Sequence, residues 1–172
     1  AACTKPVSGS PFTTGADGSV TVSDLSVGTL YAKEIEVDDP YWVCDTSVKT
    51  VNITAGQTAA ATFCNTHYGD LCIRKNAVNG SAEGWSFQIL DSERNLVATI
   101  KTGADGYAHS GLLLPGQYFI LEVHDRDDTY WEYDPVAEKQ VTITAGSLAE
   151  VVYTNTQYGK IQIQKAMETE GS

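Results

Sequence analysis

Hydrophobic and polar residues alternate in short runs along most of the chain. Residues 19–22, 49–53 and 141–143 are examples. Alternation with a period of two predicts β-strands with one buried face. The dipeptides Asp17-Gly18 and Asp105-Gly106 predict tight turns between strands, because glycine accepts a positive φ. No stretch keeps a helical period, and the run 166–170 is too short to count. The pattern predicts an all-β fold of the sandwich type.

One long pattern occurs twice, at residues 54–69 and again at 144–159. We therefore expect tandem domains: a domain at 1–69 that lacks its first strand, and a complete domain at 70–158. Residues 159–172 are expected to form the first strand of a further repeat. This register, and a start without methionine, suggest a piece of a longer protein.

Three polar residues fall on strand faces that are otherwise apolar. Successive strand residues point to opposite sides, so parity tells which residues share a face. Burying full charges on such faces costs several kcal/mol unless they are well paired. The shared faces are Leu71, Ile73 and Lys75; Ile120 and Glu122; and Val151, Tyr153 and Asn155.

A buried lysine, glutamate and asparagine together suggest covalent chemistry. Desolvation lowers the pKa of a lysine and raises that of a carboxyl group. A neutral Lys75 amine can attack the Asn155 carboxamide, with Glu122 as the proton shuttle, to give an isopeptide bond and ammonia. The simpler interpretation is that Lys75 ends a strand with its amine in solvent and that Asn155 is a turn residue.

The sequence resembles the Cna B-type (SpaA-like, prealbumin-like) repeats of Gram-positive surface adhesins and pilins. The resemblance rests on the Ile-x-Lys opening strand, Thr-Gly-Ala-Asp-Gly at 102–106, Leu-Pro-Gly-Gln-Tyr-x-x-x-Glu at 114–122 and Tyr-Thr-Asn at 153–155. It implies tandem immunoglobulin-like or prealbumin-like β-sandwiches. It also implies a spontaneous Lys–Asn bond, with Lys75 as nucleophile, Asn155 as acceptor and Glu122 as acid/base.

The first domain has Glu34 and Asn65 at the matching positions but no matching lysine. The tail carries Lys165 behind Ile161 and Ile163, which is the pattern of an opening strand. The tail of one molecule can therefore add to the first domain of another, and Lys165 can bond to Asn65. The same bond within one chain would require the two units to fold back on each other. The simpler interpretation is that the sequence is a fragment cut without regard to repeat boundaries and that its tail is disordered.

The four cysteines leave several pairings open. Cys64 and Cys72 are predicted on outward faces beside the domain junction, where a disulfide would staple the linker, with Cys3 paired to Cys44. A Cys44–Cys64 pair and free thiols are the alternatives. A zinc site is not expected, because no C-x-x-C or histidine pair accompanies them. Disulfides would place the chain in an oxidising compartment.

A net charge of −11 argues against nucleic acid and anionic membranes as partners. The chain also has no apolar run of 18 residues, so membrane insertion is not expected. No cofactor or metal is expected either, because the acidic residues Asp125, Asp127 and Asp128 lack the glycine and bidentate glutamate of a calcium loop. Hydrolase chemistry finds no support, since no Gly-x-Ser-x-Gly motif occurs and no partner set surrounds the histidines His67, His109 and His124.

Two functions from different classes remain. The first is a non-enzymatic stalk or spacer at the bacterial surface, whose partners are neighbouring repeats or another copy by strand exchange. The second is a module that binds a host glycan or matrix protein through aromatic pairs. These pairs are Tyr41-Trp42 and Tyr130-Trp131, for which domain packing is the simpler explanation. No Leu-Pro-x-Thr-Gly sorting signal is present, so wall attachment would depend on other parts of the parent chain.

Overall fold

The computed structural model describes residues 5–35, 38–124 and 130–165. The chain divides into two compact units, Ala1–Thr66 (unit 1) and His67–Ser172 (unit 2). All regular structure in the described ranges is β-strand, which confirms the predicted all-β class. The strands of unit 1 are β1 (Gly28–Lys33), β2 (Trp42–Val43) and β3 (Val48–Ile53), and β4 (Thr66–His67) lies at its boundary. The strands of unit 2 are β5 (Asp70–Val78), β6 (Ser86–Leu90), β7 (Leu96–Lys101), β8 (Tyr107–His109), β9 (Gly116–Val123), β10 (Trp131–Glu132), β11 (Glu138–Ile143) and β12 (Leu148–Gln157).

Unit 2 is a sandwich of two four-stranded sheets. Sheet I has the order β10-β12-β5-β8, and sheet II has the order β11-β9-β6-β7. Sheet II is antiparallel throughout. In sheet I, however, β5 and β12 pair in parallel, from Leu148 opposite Asp70 to Thr156 opposite Val78. The first and last strands of the unit therefore lie side by side and run in the same direction.

The core lies between the two sheets and takes apolar side chains from both. Burying one such side chain contributes about 1.5–3 kcal/mol. Alternation along β5 places Leu71 and Ile73 in this core, and Lys75 follows them on the same face. Sheet I contributes Leu71, Ile73, Ala108, Val151 and Tyr153, and sheet II contributes Phe87, Ile89, Tyr118, Ile120 and Ile143.

The predicted Asp-Gly turn at residues 102–106 connects β7 to β8 and supports β5. Gly106 has a φ of +80°, and the Asp105 carboxylate accepts a hydrogen bond from the Tyr107 N–H at 3.0 Å. The Lys75 N–H donates to the Gly106 carbonyl at 2.8 Å. The main chain of β5 is therefore anchored at the residue that carries the buried amine.

Unit 1 repeats part of this arrangement. Its strand β1 pairs antiparallel with β3, and β2 pairs with β4. The first pair matches β9 and β11 of unit 2, which meet in the same register from Gly116 opposite Ile143. No described residue of unit 1 is fully buried, whereas unit 2 buries more than a dozen. The described part of unit 1 contains no strand equivalent to β5, and its apolar faces are correspondingly open.

Candidate functional site

Three strands of unit 2 bring a lysine, a glutamate and an asparagine together in the core. Lys75 comes from β5, Glu122 from β9 and Asn155 from β12. Lys75 is 3% exposed, Glu122 is 9% exposed and Asn155 is 0% exposed. Since β5 and β12 are parallel neighbours with Lys75 opposite Tyr153, Asn155 lies two residues further along on the same core face. The alternative of a strand-end lysine with its amine in solvent does not fit this burial.

The Glu122 carboxylate connects the amine to the carboxamide. The Lys75 ammonium donates a hydrogen bond to Glu122 Oε1. The Asn155 side-chain N–H₂ donates to both carboxylate oxygens, at 3.1 Å each. The lysine nitrogen and the asparagine nitrogen are therefore hydrogen-bonded to the same oxygen atom, Oε1. A group that accepts from both nitrogens is placed to move a proton from one to the other.

The environment of the amine favours its neutral form. Burial lowers the pKa of Lys75, and the hydrogen bond and negative charge of Glu122 oppose the shift without cancelling it. Nζ lies 4.2 Å from the centroid of the Trp85 ring, so one side of the amine faces an aromatic wall. A lysine with a lowered pKa is a stronger nucleophile at neutral pH than an exposed one.

The carboxamide oxygen of Asn155 is held separately from its nitrogen. Asn155 Oδ1 accepts a hydrogen bond from the main-chain N–H of Asp134 at 2.9 Å. Asp134 was not among the residues predicted from sequence. The repeat could have indicated it, because an aspartate, Asp45, occupies the equivalent position in the first repeat, one residue after Cys44.

Aromatic side chains cover the amine. Trp131 meets Trp85 edge-on with ring centroids 4.8 Å apart, and Tyr133 meets the same ring at 5.9 Å. His124 stacks on Tyr133 at 3.8 Å, which places it at the outside of this cover. Trp131 therefore packs against the core. This agrees with domain packing, the simpler explanation of the Tyr130-Trp131 pair. The exposed pair Tyr41-Trp42 leaves glycan binding as a prediction.

Unit 1 contains a glutamate and an asparagine in the same arrangement as Glu122 and Asn155. The Asn65 side-chain N–H₂ donates to Glu34 Oε1 at 2.7 Å, and Asn65 Oδ1 accepts from the Asp45 N–H at 2.9 Å. The second carboxylate oxygen, Glu34 Oε2, is buried and has no hydrogen-bond partner among the described residues. In unit 2 the carboxylate has the Lys75 amine as an additional partner, whereas no cation of the described residues contacts Glu34 Oε2.

Lys165 and the tail residues before it are solvent-exposed. Ile161 and Ile163 are 85% and 84% exposed, and residues 158–165 belong to no strand. The bond between Lys165 and Asn65 stays a prediction.

Three of the four cysteines lie in the described ranges, and all three are free thiols: Cys44, Cys64 and Cys72. Neither the Cys64–Cys72 nor the Cys44–Cys64 disulfide is formed, and Cys3 lies outside the described residues. Cys72 lies on the face opposite Leu71, as alternation requires, but it is only 6% exposed rather than outward and open. Its sulfur lies 3.9 Å from His109 Nε2. Burial, followed by the charges of Glu150 and Asp70, raises the pKa of the thiol.

Other chemistry finds no site within the described ranges. They contain no group of three or more His, Cys, Asp or Glu side chains that could hold a metal ion. They also contain no helix long and apolar enough to cross a membrane. The acidic residues Asp125, Asp127 and Asp128 lie outside the described residues.

No protein-family model matches the chain, and no curated protein matches it. Among solved structures it is similar to GBS52, the minor pilin of the Gram-positive pathogen Streptococcus agalactiae. That similarity has 15% identity and a TM-score of 0.47, and it covers 84% of this chain and 66% of the pilin. The Bacillus anthracis TIE protein is similar at 23% identity and a TM-score of 0.48, over 77% of this chain and 26% of that protein.

BcpA, the major pilin subunit of Bacillus cereus, is similar at 18% identity and a TM-score of 0.43. The match covers 51% of this chain and 28% of BcpA. The chain thus spans less than two thirds of the length of each of these three proteins.

Proposed function

We propose that this chain is part of the stalk of a Gram-positive surface adhesin or pilus, and that unit 2 is stiffened by an isopeptide bond between Lys75 and Asn155. One observation carries the proposal: the Lys75 amine and the Asn155 carboxamide are both hydrogen-bonded to Glu122 Oε1 in the buried core. The motifs that resemble Cna B-type repeats point to the same chemistry.

The reaction balances without an added reagent. The lysine amine attacks the Asn155 carboxamide carbon, and the carbon–nitrogen bond to Nδ2 breaks after a tetrahedral intermediate. Glu122 takes the proton from the attacking nitrogen and gives one to the leaving nitrogen, so that ammonia is released. Fixing both reactants in one core removes the entropy cost of bringing them together, which can lower a barrier by about 7–11 kcal/mol. The bond forms once per molecule and is not turned over.

The position of the bond suits a tether. It would join β5 to β12, the first and last strands of the unit, which are parallel neighbours. Tension that enters at β5 and leaves at β12 would pass through the covalent link. The sandwich between Lys75 and Asn155 would then stay folded under a force that pulls the two ends apart.

Intact-mass spectrometry tests the bond. We expect the purified chain to weigh one ammonia less than its sequence, after allowing for disulfides. Lys75→Ala and Glu122→Gln are expected to restore the full mass, and tandem mass spectrometry of a digest is expected to recover the peptide pair joined at Lys75 and Asn155. A wild-type chain of full mass would overturn the proposal.

We further propose that unit 1 accepts an opening strand from another copy, with Lys165 bonding to Asn65. Three features of the described residues support this. Glu34 Oε2 is buried without a hydrogen-bond partner, no described residue of unit 1 is fully buried, and the isoleucines of the tail are exposed. The lysine of an added strand would supply the missing cation. The occupant is therefore expected to be a strand with apolar residues at alternate positions and a terminal lysine.

Denaturing gel electrophoresis under reducing conditions tests this second bond. We expect a ladder of covalent multimers that disappears on Lys165→Ala and on Asn65→Ala. Lys160→Ala is the matched control in the same tail. A single monomer band from the wild-type chain at high concentration would refute the intermolecular bond and leave the Lys75–Asn155 bond unaffected.

A further inference from the structure

A second group contacts the reacting carboxamide from the side opposite Glu122. The main-chain N–H of Asp134 donates to Asn155 Oδ1 at 2.9 Å, whereas Nδ2 faces the Glu122 carboxylate. The two contacts fix which end of the carboxamide points to the carboxylate. The leaving nitrogen lies at the proton donor, and the carbonyl oxygen lies at a neutral hydrogen-bond donor.

The Asp134 main chain is held rigidly by its own side chain. Oδ2 accepts from the Thr154 N–H at 2.9 Å and from the Lys139 ammonium at 2.8 Å, and Oδ1 accepts from the Val136 N–H at 3.0 Å. The Lys139 ammonium also donates to the Val152 carbonyl at 2.7 Å. The Asp134 side chain is 8% exposed. These bonds tie the segment that carries the N–H to β12 at Val152 and at Thr154, the residue before Asn155.

Unit 1 builds the same contact around its own asparagine. The Asp45 N–H donates to Asn65 Oδ1 at 2.9 Å, and Asp45 Oδ1 accepts from the Ser47 N–H at 3.0 Å. Asp45 Oδ2 pairs with the Lys49 ammonium at 2.9 Å and accepts from the Cys64 N–H at 3.4 Å. Unit 1 has few buried residues, so a packed core is not what produces this arrangement. It accompanies the acceptor asparagine in both units.

We propose that the main-chain N–H of Asp134 is the oxyanion donor of the Lys75–Asn155 reaction, and that the Asp134 carboxylate and Lys139 position it. The inference rests on the proposed function. When the lysine nitrogen bonds to the carboxamide carbon, the electron pair of the C=O bond moves onto Oδ1. The N–H already points at that oxygen and stabilises the negative charge. The pair returns as the bond to Nδ2 breaks and ammonia leaves.

An amide-to-ester substitution at Asp134 tests the donor directly. It replaces the N–H by an oxygen and leaves the carboxylate in place, and it can be introduced during cell-free synthesis of the full chain. The bond is followed by intact mass over time after synthesis. Loss of one oxyanion donor typically slows a reaction by a factor on the order of 100 to 1000, so we expect a slowing of roughly 100-fold.

The matched control is the same ester at Asp91. Its N–H also closes a turn, to the Asn95 carbonyl at 3.0 Å, but it does not contact the three reacting residues. We expect the control to react at the wild-type rate. Equal rates for the two esters would overturn the inference while the wild-type bond still supports the proposed function. A wild-type chain that never loses ammonia would instead overturn the proposed function itself.

Asp134→Ala tests the positioning role, with Asp91→Ala as its control, because both changes remove a carboxylate that accepts a main-chain N–H bond from the residue two positions later. Each change is also made in the Lys75→Ala background, where no bond can form, so that folding is measured independently of the reaction. We expect Asp134→Ala to react at least ~10-fold more slowly than Asp91→Ala at the same folded fraction. Equal rates would refute the positioning role. If Asp134→Ala does not fold, the comparison of the esters at Asp134 and Asp91 tests the inference instead.

Discussion

Replacing Lys75 by methionine should reveal the energetic contribution of the cross-link. Methionine has a similar length and is apolar, so it fills the core position without leaving a large cavity. The bond would close a loop of 81 residues (155 − 75 + 1). The chain-entropy relation used for disulfides gives about 4.5 kcal/mol for a loop of that length. We therefore expect Lys75→Met to lower the free energy of unfolding of unit 2 by about this amount.

In a thermal scan the loss should be large. For a domain of this size, 1 kcal/mol corresponds to about 4–8 °C in Tm, so the predicted loss corresponds to roughly 18–36 °C. Differential scanning calorimetry of the full chain measures it, after intact mass has established that the wild type has lost one ammonia and the variant has not.

Glu122→Gln is the matched control for local effects. It keeps both the lysine and the asparagine side chains but removes the proton shuttle, so it should be unlinked as well. The two variants should therefore unfold well below the wild type and within a few degrees of one another. If the wild type carries the bond but Lys75→Met unfolds at nearly the same temperature, the loop-closure reasoning is wrong.

Three further predictions follow from particular contacts. Burial lowers the pKa of Lys75, so the rate of bond formation should rise with pH with a midpoint below the ordinary lysine value of about 10.4. Time courses by intact mass at several pH values measure this midpoint, and a value at or above about 10.4 would contradict the prediction. Trp131→Ala should cost about 3 kcal/mol in denaturant unfolding because the ring packs edge-on against Trp85, and a loss below about 0.5 kcal/mol would show that this contact does not stabilise the unit. Gly69→Ala should cost about 1–3 kcal/mol because its new Cβ would lie 2.5 Å from the Thr144 carbonyl oxygen, whereas Gly159→Ala, with nothing within 4 Å, should be neutral.

The parity of the strands was sufficient to select the three central residues. Lys75, Glu122 and Asn155 each lie at even spacing from apolar residues, and all three are buried in the structure. This works because the side-chain period of a strand is two, whatever the strand pairs with. Parity could not show that one carboxylate oxygen accepts from both nitrogens, since that contact joins two different sheets.

The same parity argument was incomplete for Cys72. It placed the thiol on the face away from the core, which is correct, but the side chain is buried there beside His109 of the neighbouring strand. Burial on an outer face depends on which side chains cover it, and a strand's own pattern carries no information about its neighbours. Cysteine pairing stays undecided by sequence for a similar reason, because it requires proximity in space.

The sequence by itself determined the all-β class, the repeat, and the set of lysine, glutamate and asparagine residues, because these follow from local periodicity and from self-similarity along the chain. Only the tertiary structure decided the parallel pairing of β5 with β12, the shared contact at Glu122 Oε1 and the Asp134 N–H on the carboxamide oxygen. Those features join residues far apart in the chain. The distances between them are set by how the two sheets pack. Main-chain N–H groups are the same at every non-proline position, so the sequence does not indicate which of them contacts the Asn155 oxygen.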